Sequence, residues 1–144
     1  MLDTLIIKLK DYLINDRPDL MVTLEQEGKV TTYLEDKIAT ITNLCENLLK
    51  EGKPAYIVEE VCMEELTKDL HPSKFNYLLL ILEEEFETDY YRIKENGILY
   101  YEVINLMNVC EPVFERLGFT EETETDRSLR YAIISEIHLY LKSN

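Results

Sequence analysis

Tryptophan is absent from this chain, and glycine, proline and histidine are scarce, at four, four and two copies. So few turn-forming residues exclude the dense reversals of an all-β fold. There are three cysteines, Cys45, Cys62 and Cys110. The odd count and the lack of any C-x-x-C spacing exclude a complete disulfide framework and the paired thiolates of a zinc site. Each lies among apolar residues at helical spacing, so three reduced core thiols in a reducing compartment are expected. Positive charge is also in short supply, with 15 Lys and Arg against 29 Asp and Glu and a net charge of −14. No basic footprint exists for direct nucleic-acid binding, and an anionic membrane would repel the chain. Long apolar runs are missing too. The longest, residues 77–82, is far short of the ~20 residues needed to span a bilayer. Near the start, Leu2, Leu5, Ile6 and Leu9 are interrupted by Asp3, Lys8 and Lys10, so no secretory core forms and the cytoplasm is the expected location.

What is present is helical periodicity. The chain has 144 residues, 46% of them hydrophobic, which suits one globular domain over 1–144. Leu2, Leu5, Ile6, Leu9, Tyr12 and Leu13 form one stripe over residues 3–15, with Asp3 as an expected cap and Pro18 as the stop. Residues 19–28 carry a weak signal and read as a loop, with room for a short helical turn around Leu20 to Gln26. Val30, Leu34, Ile38, Ile41, Cys45 and Leu48 predict a helix over 30–50, ended by Gly52 in a left-handed conformation. Val58, Cys62, Leu66 and Leu70 predict another from Pro54, with Glu59, Glu60, Glu64 and Glu65 outward. Ser73 is placed to cap a helix striped by Phe75, Leu78, Leu79, Leu82 and Phe86. Leu80 and Ile81 fill its other faces, so residues 77–82 are expected at the centre of a bundle. Residues 90–101, with Asn96-Gly97 between Tyr-rich flanks, fit either a short hairpin or the start of a helix. Val103, Leu106, Cys110, Val113 and Leu117 restore the helical period, with a kink or break expected at Pro112. Residues 120–125 read as an acidic loop, and 126–142 as a last helix. The expectation is an all-α, single-domain bundle of five to seven helices. No internal repeat is visible.

The chemistry-bearing residues form no catalytic constellation. His71 and His138 lack a Glu three residues earlier, so no di-iron pattern exists and no metal is expected. There is no nucleophile elbow and no phosphate loop. Ser73 beside His71 reads as a helix cap next to a helix end. The runs Glu59-Glu60, Glu64-Glu65 and Glu83-Glu84-Glu85 read as solvated faces, and no cofactor is expected.

Certain short motifs carry a resemblance. Leu70-His71-Pro72-Ser73-Lys74-Phe75 precedes a Leu-rich segment ending in Glu84-Glu85-Phe86. Glu111-Pro112-Val113-Phe114 and Leu139-Tyr140-Leu141 follow, and Tyr12-Leu13 with Arg17-Pro18-Asp19-Leu20 comes first. The order resembles a family of small uncharacterised Bacteroidetes proteins labelled a domain of unknown function, with a Leu-His-x-Ser-Lys signature at Leu70, His71, Ser73 and Lys74. The resemblance implies an all-α cytoplasmic bacterial protein, often encoded near mobile elements, and no established activity.

The functional expectation is a noncatalytic binding or accessory protein. Cut after Lys53, the charge is uneven: 7 basic and 10 acidic residues precede the cut, 8 and 19 follow it. A basic protein partner is therefore expected at Glu59, Glu60, Glu64, Glu83, Glu84 and Glu87. The alternatives are a DNA-mimic inhibitor and an enzyme built from scattered Glu and Tyr.

Overall fold

The computed structural model describes residues 1–143, and these form eight helices with no strand. They are α1 (Leu2–Asp16), α2 (Pro18–Glu27), α3 (Val30–Lys50), α4 (Ala55–Thr67), α5 (Lys74–Glu85), α6 (Glu87–Glu95), α7 (Leu99–Leu117) and α8 (Arg127–Ser143). The all-α expectation holds, but the count exceeds five to seven because two short segments are helical. Residues 19–28 are not a loop. Pro18 opens α2 at a position where its missing N–H is no loss, and Met21 and Leu24, one turn apart, are buried. Residues 90–101 form no hairpin. Tyr90 and Ile93 are buried at helical spacing on α6. Gly97, at φ 75°, then closes the helix, with Gly97 N–H donating to Lys94 O and Ile98 N–H to Ile93 O. That pair of bonds is a Schellman stop, so Asn96-Gly97 ends a helix instead of reversing a ribbon. Asp3 does not cap α1, whose N-cap is Met1. Pro112 does not split α7, which runs through it. No helix among the described residues is long and apolar enough to cross a membrane.

The chain divides into two compact units, Met1–His71 and Pro72–Asn144. Apolar residues gather in two clusters accordingly. The first is built on Leu5, Leu9, Leu13, Ile41, Cys62 and Leu66, the second on Phe75, Leu78, Leu82, Leu106, Leu129 and Ile133. Within the first unit α1 packs on α2, α3 and α4, and α3 packs on α4. Within the second α5 packs on α6, α7 and α8, and α7 packs on α8.

The two units repeat one design that the sequence does not display. Arg17 (φ −134°, ψ 55°) breaks α1 from α2, and Phe86 (φ −132°, ψ 50°) breaks α5 from α6. Gly28 (φ 67°) ends α2 and Gly97 (φ 75°) ends α6. Both pairs lie 69 positions apart. At the same offset seven buried positions coincide: Leu9 with Leu78, Leu13 with Leu82, Met21 with Tyr90, Leu24 with Ile93, Leu34 with Val103, Ile41 with Cys110, and Cys45 with Phe114. On α4 and α8 the offset becomes 71, pairing Val58 with Leu129, Cys62 with Ile133 and Leu66 with Ile137. Of these ten buried pairs, only those of Leu9 and Leu13 are identical in residue type. The repeat lives in burial and backbone, which tolerate any apolar side chain of suitable volume.

This boundary also corrects the charge asymmetry. Cut after His71, the first unit has 8 basic and 15 acidic residues and the second 7 and 14, so each carries −7. The imbalance came from cutting ahead of α4, whose Glu59, Glu60, Glu64 and Glu65 belong with the first unit.

Candidate functional site

The second unit places a groove where α5 meets α6. Phe75, Leu78, Ile81 and Leu82 turn α5 inward and are fully or almost fully buried. Leu80, two residues from both Leu78 and Leu82, therefore faces away from that stripe. It is 52% exposed, which corrects the expectation that all of residues 77–82 are enclosed. Leu79 is half-buried. Glu83 and Glu84 follow one turn after Leu80, then Glu87 and Tyr91 on α6. These five side chains line an open groove of about 380 Å³. Tyr91 is 48% exposed, and its ring meets buried Tyr90 edge-on at 5.2 Å.

The electrostatics of the rim are uneven. Arg130 of α8 donates to Glu84 Oε2 and to Glu85 Oε1, each at 3.0 Å. These hydrogen bonds hold its guanidinium more firmly protonated than usual, Glu85 first. No cation among the described residues pairs with Glu83 or Glu87. Leu80 and Tyr91 supply apolar surface between carboxylates, so the groove can hold a cation and an apolar group side by side.

The six glutamates singled out by sequence divide three and three between the units. Glu83, Glu84 and Glu87 meet around the groove. Glu59, Glu60 and Glu64 lie on α4 in the first unit. Glu60 and Glu64 are exposed, whereas Glu59 is half-buried and accepts from Lys8 Nζ at 2.6 Å. Leu80 is the groove residue that sequence reasoning missed. The signal existed, since a stripe of Phe75, Leu78 and Leu82 leaves Leu80 on the opposite face.

The remaining chemistry-bearing side chains have structural surroundings. Ser73 is the N-cap of α5, its Oγ accepting from Asn76 N–H at 3.1 Å. His71 and His138 are exposed. Lys74 lies 5.2 Å from the Phe114 ring centroid and 3.1 Å from Glu111 Oε2. Tyr77 packs against Phe114 and Phe119, with its hydroxyl buried and unbonded, and burial raises its pKa. All three cysteines are buried thiols. Burial, with contact from Cys45, raises Cys62 to about 11, and burial raises Cys110 to about 12. At neutral pH such thiols are protonated and poor nucleophiles. Among the described residues no three His, Cys, Asp or Glu side chains are placed to hold a metal ion.

Neither the curated proteins nor the solved structures contain a match to this chain. A family model does match, over residues 4–138, and its description is Domain of unknown function (DUF1896). That match takes in both helical units almost entirely, and the chain belongs to this family.

Proposed function

We propose that the chain is a noncatalytic binding or accessory protein of the bacterial cytoplasm that docks a basic protein. The observation that carries this reading is the exposed carboxylate surface beside solvent-facing Leu80 and Tyr91. Solvated glutamates around exposed apolar side chains suit recognition, because charge steers the encounter and apolar contact holds it. Glu59, Glu60 and Glu64 on α4 belong to the same proposal as a second acidic face. Cys45, Cys62 and Cys110, all reduced and buried, support the cytoplasmic assignment. The motifs around Leu70, His71, Ser73 and Lys74 support a Bacteroidetes source and a link to mobile elements. The net charge of −14 argues against nucleic acid and anionic membranes as direct partners. Length, and the absence of a Gly/Ser-rich linker at Leu70-His71-Pro72-Ser73, support one working domain over 1–144.

The test is a pull-down from the native host with mass spectrometry, followed by binding at low and high salt. A basic protein whose affinity falls steeply with salt is expected, since exposed charges are screened over about 8 Å at physiological ionic strength. Recovery of a nuclease or DNA-bound regulator would favour the DNA-mimic form of this reading. Salt-insensitive binding, or no partner, would overturn it.

A further inference from the structure

We infer that Asn96-Gly97 is a site of spontaneous covalent modification, where Asn96 loses its side-chain amide through a cyclic imide whose formation is gated by the helix stop of α6. Asn96 is the only asparagine of the chain that precedes a glycine. Because Gly97 has no Cβ, its backbone nitrogen can approach the Asn96 side chain closely. That nitrogen attacks Asn96 Cγ and forms an N–Cγ bond. Its proton passes to solvent, the Cγ–Nδ2 bond breaks, and ammonia leaves. Water then opens the five-membered imide. Cleavage of the N–Cγ bond gives aspartate. Cleavage of the bond to the backbone carbonyl carbon gives isoaspartate, in which the main chain runs through Cγ. In sum, one water is consumed and one ammonia released, with no change of oxidation state.

The same segment is open to this chemistry and holds it back. Asn96 and Gly97 are both exposed. Asn96 keeps a helical backbone (φ −77°, ψ −3°), and Gly97 N–H donates to Lys94 O at 3.0 Å. Ring closure needs that nitrogen free and the Asn96 backbone turned out of the helical region, so the reaction waits for the stop to open. The stop opens readily, because α6 has only nine residues and Ile93 is the one buried side chain of its last turn. Helices this short have little stability of their own, and their ends fray first.

The fold does not require an amide at this position. Helices α2 and α3 end with the same pair of bonds, Gly28 N–H to Glu25 O with Lys29 N–H to Leu24 O, and Gly52 N–H to Leu49 O with Lys53 N–H to Leu48 O. Their glycines follow Glu27 and Glu51, and Glu51 has nearly the backbone of Asn96 (φ −72°, ψ −4°). Glu27 and Asn96 also correspond at the repeat offset of 69. A carboxylate is accommodated before such a glycine, so the aspartate product preserves the stop. The isoaspartate product does not, because the added main-chain carbon shifts Gly97 N–H and Ile98 N–H away from their acceptors. It therefore loosens the last turn of α6 where the chain enters α7.

The experiment is incubation of the full chain in mildly alkaline buffer, with peptide mapping by mass spectrometry. Isoaspartate is counted by methyl transfer from labelled S-adenosylmethionine with an isoaspartyl methyltransferase. A capped peptide of residues 92–100 is the unfolded reference. Aspartate and isoaspartate should accumulate at Asn96 and at no other helical asparagine. The folded chain should react roughly ten- to a hundredfold more slowly than the peptide, since only molecules with an open stop react. Ile93→Ala should move the rate toward that of the peptide, with circular dichroism showing the rest of the helix retained. Asn96→Asp should leave the unfolding midpoint nearly unchanged, whereas the isoaspartate form, separated by chromatography, should unfold at lower urea. An intact Asn96 long after that interval, a rate equal to the peptide's, equal loss at other asparagines, or no effect of Ile93→Ala would each overturn the assignment.

Discussion

Three leucines of α5, Leu79, Leu80 and Leu82, should respond very differently to truncation. Leu82 is fully buried and Leu80 is 52% exposed, while Leu79 is half-buried between them. Leu82→Ala removes buried methyl groups and leaves a cavity in the core cluster that also holds Leu78, Val103 and Leu129. Such truncations cost about 2–5 kcal/mol. Leu80→Ala opens no cavity, because one side of the residue is already water. It forfeits about half of a leucine's transfer energy, roughly 1 kcal/mol or less. Leu79→Ala should fall between. With a urea m-value of about 1–3 kcal/mol/M, Leu82→Ala should lower the unfolding midpoint by on the order of 1–2 M, and Leu80→Ala by a few tenths. Urea unfolding followed by far-UV circular dichroism reads both shifts. A Leu80→Ala shift equal to that of Leu82→Ala would refute the assignment of the outward face, and with it the groove.

The other predictions concern charge, thiols and cooperativity. Arg130→Gln should destabilise by about 0–1 kcal/mol, since its pairs with Glu84 and Glu85 are partly exposed, and it should strengthen binding of a basic partner by releasing both carboxylates. A thermal melt and a titration with the recovered partner check the two halves of that statement. Cys62 and Cys110 have folded pKa values of about 11 and about 12, above their ordinary value of 9.0. Because the native state holds those protons longer, their contribution to stability is complete below about pH 9 and is lost as pH rises toward 12. Urea midpoints measured across that range should fall. At pH 8 a disulfide reagent should leave all three thiols of the folded chain unmodified and titrate all three after unfolding. Calorimetry should give one transition with equal calorimetric and van't Hoff enthalpies if residues 1–144 act as one domain. Two transitions would make each unit a domain of its own.

Long amphipathic helices were legible because many apolar positions agree on one face. The bounds expected for residues 30–50 coincide with α3, and the stripe of Val58, Cys62 and Leu66 is buried as read. The short helices were not legible, because α2 and α6 each bury only two residues, Met21 with Leu24 and Tyr90 with Ile93. Two contacts one turn apart do not distinguish a helix from a loop in sequence. Asn-Gly misled for a related reason, since a glycine at positive φ serves both a hairpin turn and a helix stop. The repeat was hidden because Ile41 corresponds to Cys110 in position, and Cys45 to Phe114, so burial recurs without identity. At the candidate site, Glu83, Glu84 and Glu87 were legible as charge. Their convergence with Leu80 and Tyr91 depends on the break at Phe86, which no local sequence signal marked.

The most direct test of the account is the association rate of the native basic partner with two charge-reversed chains. One carries Glu83→Lys/Glu87→Lys, and the other Glu60→Lys/Glu64→Lys, which leaves the Lys8–Glu59 pair in place. Stopped-flow measurement at low salt should show the first variant associating at least about tenfold more slowly than the unmodified chain, with the difference shrinking at high salt. The second variant should slow association less, because α4 supplies only the general field. Equal rates for all three chains, or a larger loss in the α4 variant, would contradict the claim that the groove between α5 and α6 receives the partner.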